Sequence, residues 1–176
     1  MEKWYAFFIK TGQEAKAAEE IKGAFEAGEV VHLEFSMEKL FRKKGVVHKE
    51  KGPMFPGYVF ISTYIENDEF RVRTQDCIRR SKSIIKLLRY GRTDQAVMWE
   101  DERTALKRLL PNNHCIEASK GLIEGDHVVI IEGPLKGWES MIKSIDRHKM
   151  QVVIEIKLLG AIQQAVVGLE IMEKLV

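Results

Sequence analysis

Apolar positions come early and in blocks. Lys3 to Ile9 (KWYAFFI) is apolar on both faces, the pattern of a buried central strand. Thr11 and Glu14 have the spacing of a capping box, in which each would satisfy the other's unpaired amide. Ala18, Ile21, Ala24 and Phe25 follow at helical intervals, with Gly28 as a stop. Met37 to Phe41 and Val46 to His48 flank Arg42-Lys43-Lys44-Gly45, which predicts a hairpin with a basic tip. Gly52-Pro53 breaks the chain, and Tyr58 to Tyr64 (YVFISTY) is a second two-faced strand. Asn67 or Asp68 is placed to cap a helix carrying Phe70, Thr74, Cys77 and Ile78 on one stripe. Ile84 to Tyr90 reads as a strand, and Glu100 to Leu110 as a short amphipathic helix stopped by Pro111.

This order is a split βαβ arrangement, an antiparallel sheet with helices on one face. Residues 111–121 have no periodicity and read as a linker. Beyond them His127–Ile131, Ser140–Ile145, Met150–Ile156 and Gln163–Val167 are short and β-branched, separated by turn residues. The spacing predicts a small closed all-β barrel over 122–176, with a helix over Ala161–Leu175 as the competing state. The fold class is therefore α+β, with domains at 1–110 and 122–176.

Charge changes the picture more through its distribution than its sum. The chain of 176 residues carries a net +2, but Lys39 to Arg92 holds 14 basic and 5 acidic residues, a local excess of nine. Leu122 to Val176 holds 6 basic and 8 acidic residues, a local −2. A polyanion or an acidic protein is the natural partner for the first stretch. No apolar run reaches the roughly 20 residues of a membrane helix, and the first residues lack a signal-peptide pattern. With two cysteines, the expected setting is the cytoplasm, without a membrane partner.

Catalytic chemistry is not indicated. His114 and Cys115 are adjacent without a third orienting group, and Cys77 falls on an apolar stripe. The five histidines have no metal-ligand spacing, and Gly133-Pro134-Leu135-Lys136-Gly137 is not a phosphate loop. No cofactor, metal or catalytic residue is expected, and the chain reads as a monomer.

Three ordered stretches carry a family resemblance: Trp4-Tyr5 with Lys10-Thr11-Gly12-Gln13-Glu14; Met54-Phe55-Pro56-Gly57-Tyr58-Val59-Phe60; and Glu124-Gly125-Asp126 through Gly137. Together they resemble the NusG family of transcription elongation factors, the first two its N-terminal (NGN) domain and the third its KOW domain, which implies a barrel of the SH3-like kind. Cys115 to Gly121, GPLKG and Ile142 to Lys149 are similar to the LoaP branch of specialised paralogues. That branch implies a processive antiterminator recruited by an RNA hairpin in a leader transcript. The Phe-Gly-Arg of the general factor's partner loop is replaced by Leu159-Gly160-Ala161, which puts its ribosomal-protein and termination-factor partners in doubt. The alternative reading is a general elongation or termination factor whose barrel contacts proteins.

The resemblance implies site residues. Tyr5, Phe55 and Tyr58 would border an apolar depression for the clamp helices of RNA polymerase, although plain packing explains Pro56 and Gly57 equally well. Arg42, Lys43 and Lys44 would meet upstream DNA phosphates, and Lys10, Arg71 and Arg73 would serve similarly. Lys10 matches a position facing the non-template strand in related recruited factors. In an up-and-down barrel, Lys120 gathers at one end with Arg147, His148 and Lys149, and Lys143 extends the patch. The resemblance makes that end the expected RNA site, with the 132–137 turn at the opposite end.

Overall fold

The computed structural model describes residues 1–110 and 114–175, with side chains as far as Met172. Two units form from interleaved segments. The first takes Met1–Glu34, Phe55–Thr104 and Leu158–Ala161; the second takes Phe35–Met54, Ala105–Lys157 and Ile162–Val176.

In the first unit, β1 (Lys3–Ile9) lies inside an antiparallel sheet between β5 (Tyr58–Thr63) and β6 (Ile84–Leu87), and β2 (Val30–Leu33) flanks β5. Alternation along β1 sends Tyr5, Phe7 and Ile9 to one face. There they meet Ala17, Ala18 and Ile21 of α1 (Glu14–Lys22) and Phe70 of α2 (Asn67–Arg80). Tyr5 stacks on Phe70 with ring centroids 3.8 Å apart, and its hydroxyl donates to the Ile65 carbonyl at 3.0 Å. Each such buried aromatic contributes about 1.5–3 kcal/mol of transfer free energy. α3 (Glu100–Leu109) begins in this unit.

Several local expectations give way to longer-range partners. Thr11 and Glu14 make no capping box: α1 is preceded by Gln13 without a side-chain cap, and Glu14 instead takes the Gly57 amide at 2.7 Å. Neither Asn67 nor Asp68 caps α2, whose N-cap is Glu66. Asn67 is already helical, and its amide binds the loop beyond β6, donating to the Asp94 carbonyl at 3.0 Å and accepting from the Ala96 amide at 2.9 Å. The strand expected over 84–90 stops at Leu87.

In the second unit, β3 (Ser36–Lys43) and β4 (Val46–Pro53) make the expected hairpin, paired from Ser36–Pro53 to Lys43–Val46. Lys44 and Gly45 both take positive φ, 50° and 79°, the signature of a two-residue primed turn that matches strand twist. β7 (Cys115–Ile116) adds parallel to β3. The barrel sheet runs β10 (Ile142–Asp146), β11 (Gln151–Leu158), β12 (Ala161–Leu175), β8 (Ser119–Glu124), β9 (His127–Glu132). β12 is a strand throughout, so the helical alternative is not realised. Its later half pairs in parallel with β8 from Leu169–Ser119 onward. Gly168 permits close packing there, since a Cβ would stand 2.7 Å from the Glu38 carbonyl and 2.9 Å from Ala118 Cβ.

The expected linker is partly strand: β7 and the start of β8 fall inside 111–121, whereas Pro111, the proposed helix stop, lies outside the described residues. The central hairpin, which the sequence reading places in an N-terminal domain, groups with the barrel strands.

Candidate functional site

The Phe55-Pro56-Gly57-Tyr58 turn is fixed at Gly57, whose amide goes to Glu14 and whose carbonyl accepts from the Ile9 amide at 2.8 Å. Gly57 has φ +84°, and a Cβ there would lie 3.2 Å from Thr11 Oγ1, so only glycine fits without strain. Partial burial pushes the Glu14 carboxyl upward. The amides of Gly57, Glu14 and Gly12 outweigh it and hold the group below its ordinary value.

The aromatic patch differs from expectation. Tyr5 is 0% exposed and on the helix-covered face, and Phe55 is 5% exposed against Phe60 at 5.6 Å. Neither is a surface anchor as folded. Tyr58 is half-buried, and its cross-strand partner is Phe8, also half-buried, with ring centroids 5.5 Å apart. Phe8 escapes a reading that treats β1 as uniformly apolar, yet the alternation Tyr5, Phe7, Ile9 already leaves it on the opposite face.

Among the basic residues, Lys10 and the hairpin's Arg42, Lys43 and Lys44 are exposed. Arg71 and Arg73 are not available in the way the charge count suggests. Arg71 pairs with Asp94 at 2.7 Å and Asp68 at 3.6 Å. Arg73 grips Glu29 through both guanidinium nitrogens, at 2.5 and 3.0 Å, reaches Glu69 at 3.3 Å and lies 4.5 Å over the Phe25 ring. It ties α2 to the turn before β2.

The barrel end also reorganises. Lys120 sits opposite Glu132 in the β8–β9 ladder, and the two side chains pair at 3.2 Å. Lys120 therefore belongs beside the 132–137 turn, because β8, an unforeseen strand, reverses its expected placement. Lys143 pairs with Glu155 at 3.5 Å. The remaining group is a built turn: the Lys149 amide donates to Asp146 at 3.0 Å, the Lys149 ammonium lies 3.7 Å from the same carboxylate, and Arg147, His148 and Lys149 are exposed. Hydrogen bonding from the Lys149 amide and the Lys149 and His148 charges hold the Asp146 carboxyl below its ordinary value.

Sequence spacing does not reveal that this turn and the hairpin share a cleft. A cavity of about 240 Å³ is lined by Met37, Lys39, Phe41 and Glu50 of the hairpin and by Lys149 and Gln151 of the barrel, with Val166–Gly168 as floor.

In the first unit a buried carboxylate organises a further turn. Glu102, 3% exposed, accepts from the Tyr90 hydroxyl at 2.7 Å, the Leu159 amide at 2.7 Å and the Gly160 amide at 3.1 Å. Leu159 and Gly160 have φ of 50° and 75°, which aims both amides at that one acceptor. Tyr90 also stacks on Trp99 at 4.0 Å and accepts the Trp99 amide.

His114 packs edge-on against Phe35 at 5.7 Å, and Cys115 is buried in β7. Among the described residues no group of three or more His, Cys, Asp or Glu is placed to hold a metal ion, and no helix is long and apolar enough to cross a membrane.

A sequence profile described as "Transcription termination factor nusG" matches residues 2–107. The chain is similar to the transcription termination/antitermination protein NusG of Thermus thermophilus, 23% identical over 169 residues and covering 90% of each chain. Among solved structures it is similar to one described as "Domain interaction in Thermotoga maritima NusG", with 20% identity, a TM-score of 0.49, and coverage of 96% of this chain and 94% of that one.

Proposed function

This chain belongs to the NusG family of transcription factors, and from that premise we propose that it is an antitermination factor. It binds RNA polymerase through its N-terminal unit and a leader RNA hairpin through its barrel. The observation that carries the RNA half is the Asp146–Lys149 turn, whose backbone is held by Asp146 while Arg147, His148 and Lys149 face solvent. Arg147 and Lys149 supply phosphate or guanine-edge contacts, and His148 a stacking surface. The exposed Arg42, Lys43, Lys44 and Lys10 are the groups for DNA phosphates.

The replacement of the general factor's Phe-Gly-Arg by Leu159-Gly160-Ala161 supports a specialised role. So does the engagement of the Leu159 and Gly160 amides by Glu102. The test is run-off transcription across a terminator, with and without the leader sequence in the template. Leader-dependent readthrough is expected, lost in the combined Arg147→Ala, Lys149→Ala protein. Equal behaviour on both templates would point to the general elongation or termination role.

A further inference from the structure

We propose that the cleft lined by the β3–β4 hairpin and the β11–β12 pair seats one unpaired RNA base, with Phe41 as its stacking platform. The inference rests on the reading that the 147–149 turn binds RNA. It adds that the hairpin and the turn take hold of the same strand.

Strand alternation builds the hairpin wall. Phe41 opposes His48, Lys39 opposes Glu50, and Met37 opposes Gly52, so these pairs share a face. Gly52 leaves room for Lys39 to lie across it, since a Cβ at 52 would stand 2.7 Å from Lys39 Cε. The Phe41 ring stacks on His48 with centroids 5.3 Å apart and 18° between planes, yet Phe41 remains 42% exposed. A large ring backed on one side and half open to water, among cations, is the arrangement on which nucleic-acid bases stack.

The polar groups around it fit one nucleotide. Lys39 and Lys149 line the cleft from its two walls, with charge for the flanking phosphates. Gln151 offers a donor and an acceptor, and Glu50 an acceptor for an exocyclic amine, both suited to a base edge. Met37, Val166 and Val167 make the floor apolar. A volume of about 240 Å³ admits a base but not a stacked pair, and duplex bases are not free to enter. The occupant is therefore a loop or bulge nucleotide rather than a helical one.

The test uses the full chain and a short single-stranded RNA in which one adenine is replaced by 2-aminopurine, alone and annealed to its complement. Tighter binding of the single strand, with quenching of the 2-aminopurine fluorescence, is expected. Phe41→Ala should weaken single-strand binding about tenfold, within the range for one stacked base, and abolish the quenching. Phe41→Trp should restore both. The Arg147→Ala, Lys149→Ala protein should lose affinity and salt dependence. If that protein loses binding while Phe41→Ala binds and quenches like wild type, the cleft is not the seat and the turn reading stands. If the wild-type chain binds neither RNA, the cleft seats no unpaired base, whereas the turn reading is decided separately by leader-dependent readthrough.

Discussion

The Tyr90 hydroxyl donates to Glu102 at 2.7 Å, and the same carboxylate closes the Leu159-Gly160 turn from its other side. Replacing Glu102 by Ala leaves three donors without their acceptor, two of them, the Tyr90 hydroxyl and the Leu159 amide, buried. Unfolding in urea should show a loss on the order of 3 kcal/mol, with Glu102→Gln intermediate because it keeps one acceptor oxygen. A Glu102→Ala protein with an unchanged midpoint would remove the carboxylate from any part in holding the turn.

Alkaline pH should weaken the first unit through two tyrosines. Burial raises the Tyr5 hydroxyl, helped by the charges of Glu66 and Asp68. Burial also raises Tyr90; the Trp99 amide opposes it, and the Glu102 hydrogen bond and charge, with Asp101, add to the rise. A pKa higher in the folded than in the unfolded chain stabilises fully below the unfolded value of about 10, and that stability is lost as pH climbs toward the folded value. Each tyrosine should contribute a fall of about 1.4 kcal/mol per pH unit above about pH 10. Urea midpoints across that range should fall more steeply for wild type than for Tyr5→Phe, Tyr90→Phe; parallel curves would refute the assignment.

Gly57→Ala should lower the melting temperature, by an amount corresponding to about 1–2 kcal/mol, because a left-handed backbone and the nearby Thr11 oxygen both oppose a methyl group. Glu14→Gln should cost less, since Glu14 is only part-buried, and should remove the stability that wild type loses on acidification as this carboxylate protonates. A Gly57→Ala protein as stable as wild type would mean that the turn relaxes freely.

For polymerase binding, Phe8→Ala and Tyr58→Ala should each weaken association about tenfold or more, the loss of an aromatic interface anchor. Phe55→Ala should act through folding, with a lowered unfolding midpoint. A pull-down with purified polymerase, read beside circular dichroism, separates the two effects; loss of binding by a fully stable Phe55→Ala protein would return the anchor to Phe55.

The blocks KWYAFFI and YVFISTY are legible as central strands because burial on both faces demands uninterrupted apolar residues. The hairpin is legible because its turn chemistry is local. β2 and β8 are not: VVHL is short, and SKGLIE carries Ser, Lys and Gly where a strand pattern would be recognised. Partners remote in sequence explain the remaining differences. Glu14 is claimed by Gly57, Arg73 by Glu29, and Lys120 by Glu132, and no spacing rule connects those pairs. In the site, the exposure of Arg42–Lys44 and Arg147–Lys149 follows from turn residues. The burial of Phe55 and the placing of Lys39 and Lys149 along one cleft depend on how strands pack.

The parallel pairing of β3 with β7, the Ala118 amide on Glu38 and the close seat of Gly168 against Glu38 attach residues 35–54 to strands more than sixty positions later. A chimera that exchanges the second half of this chain with a relative's at residue 110 would sever all three attachments at once. A portable second module needs three crossovers, two flanking the hairpin and one near residue 110, and specificity mapped by single-junction swaps would be credited to the wrong half.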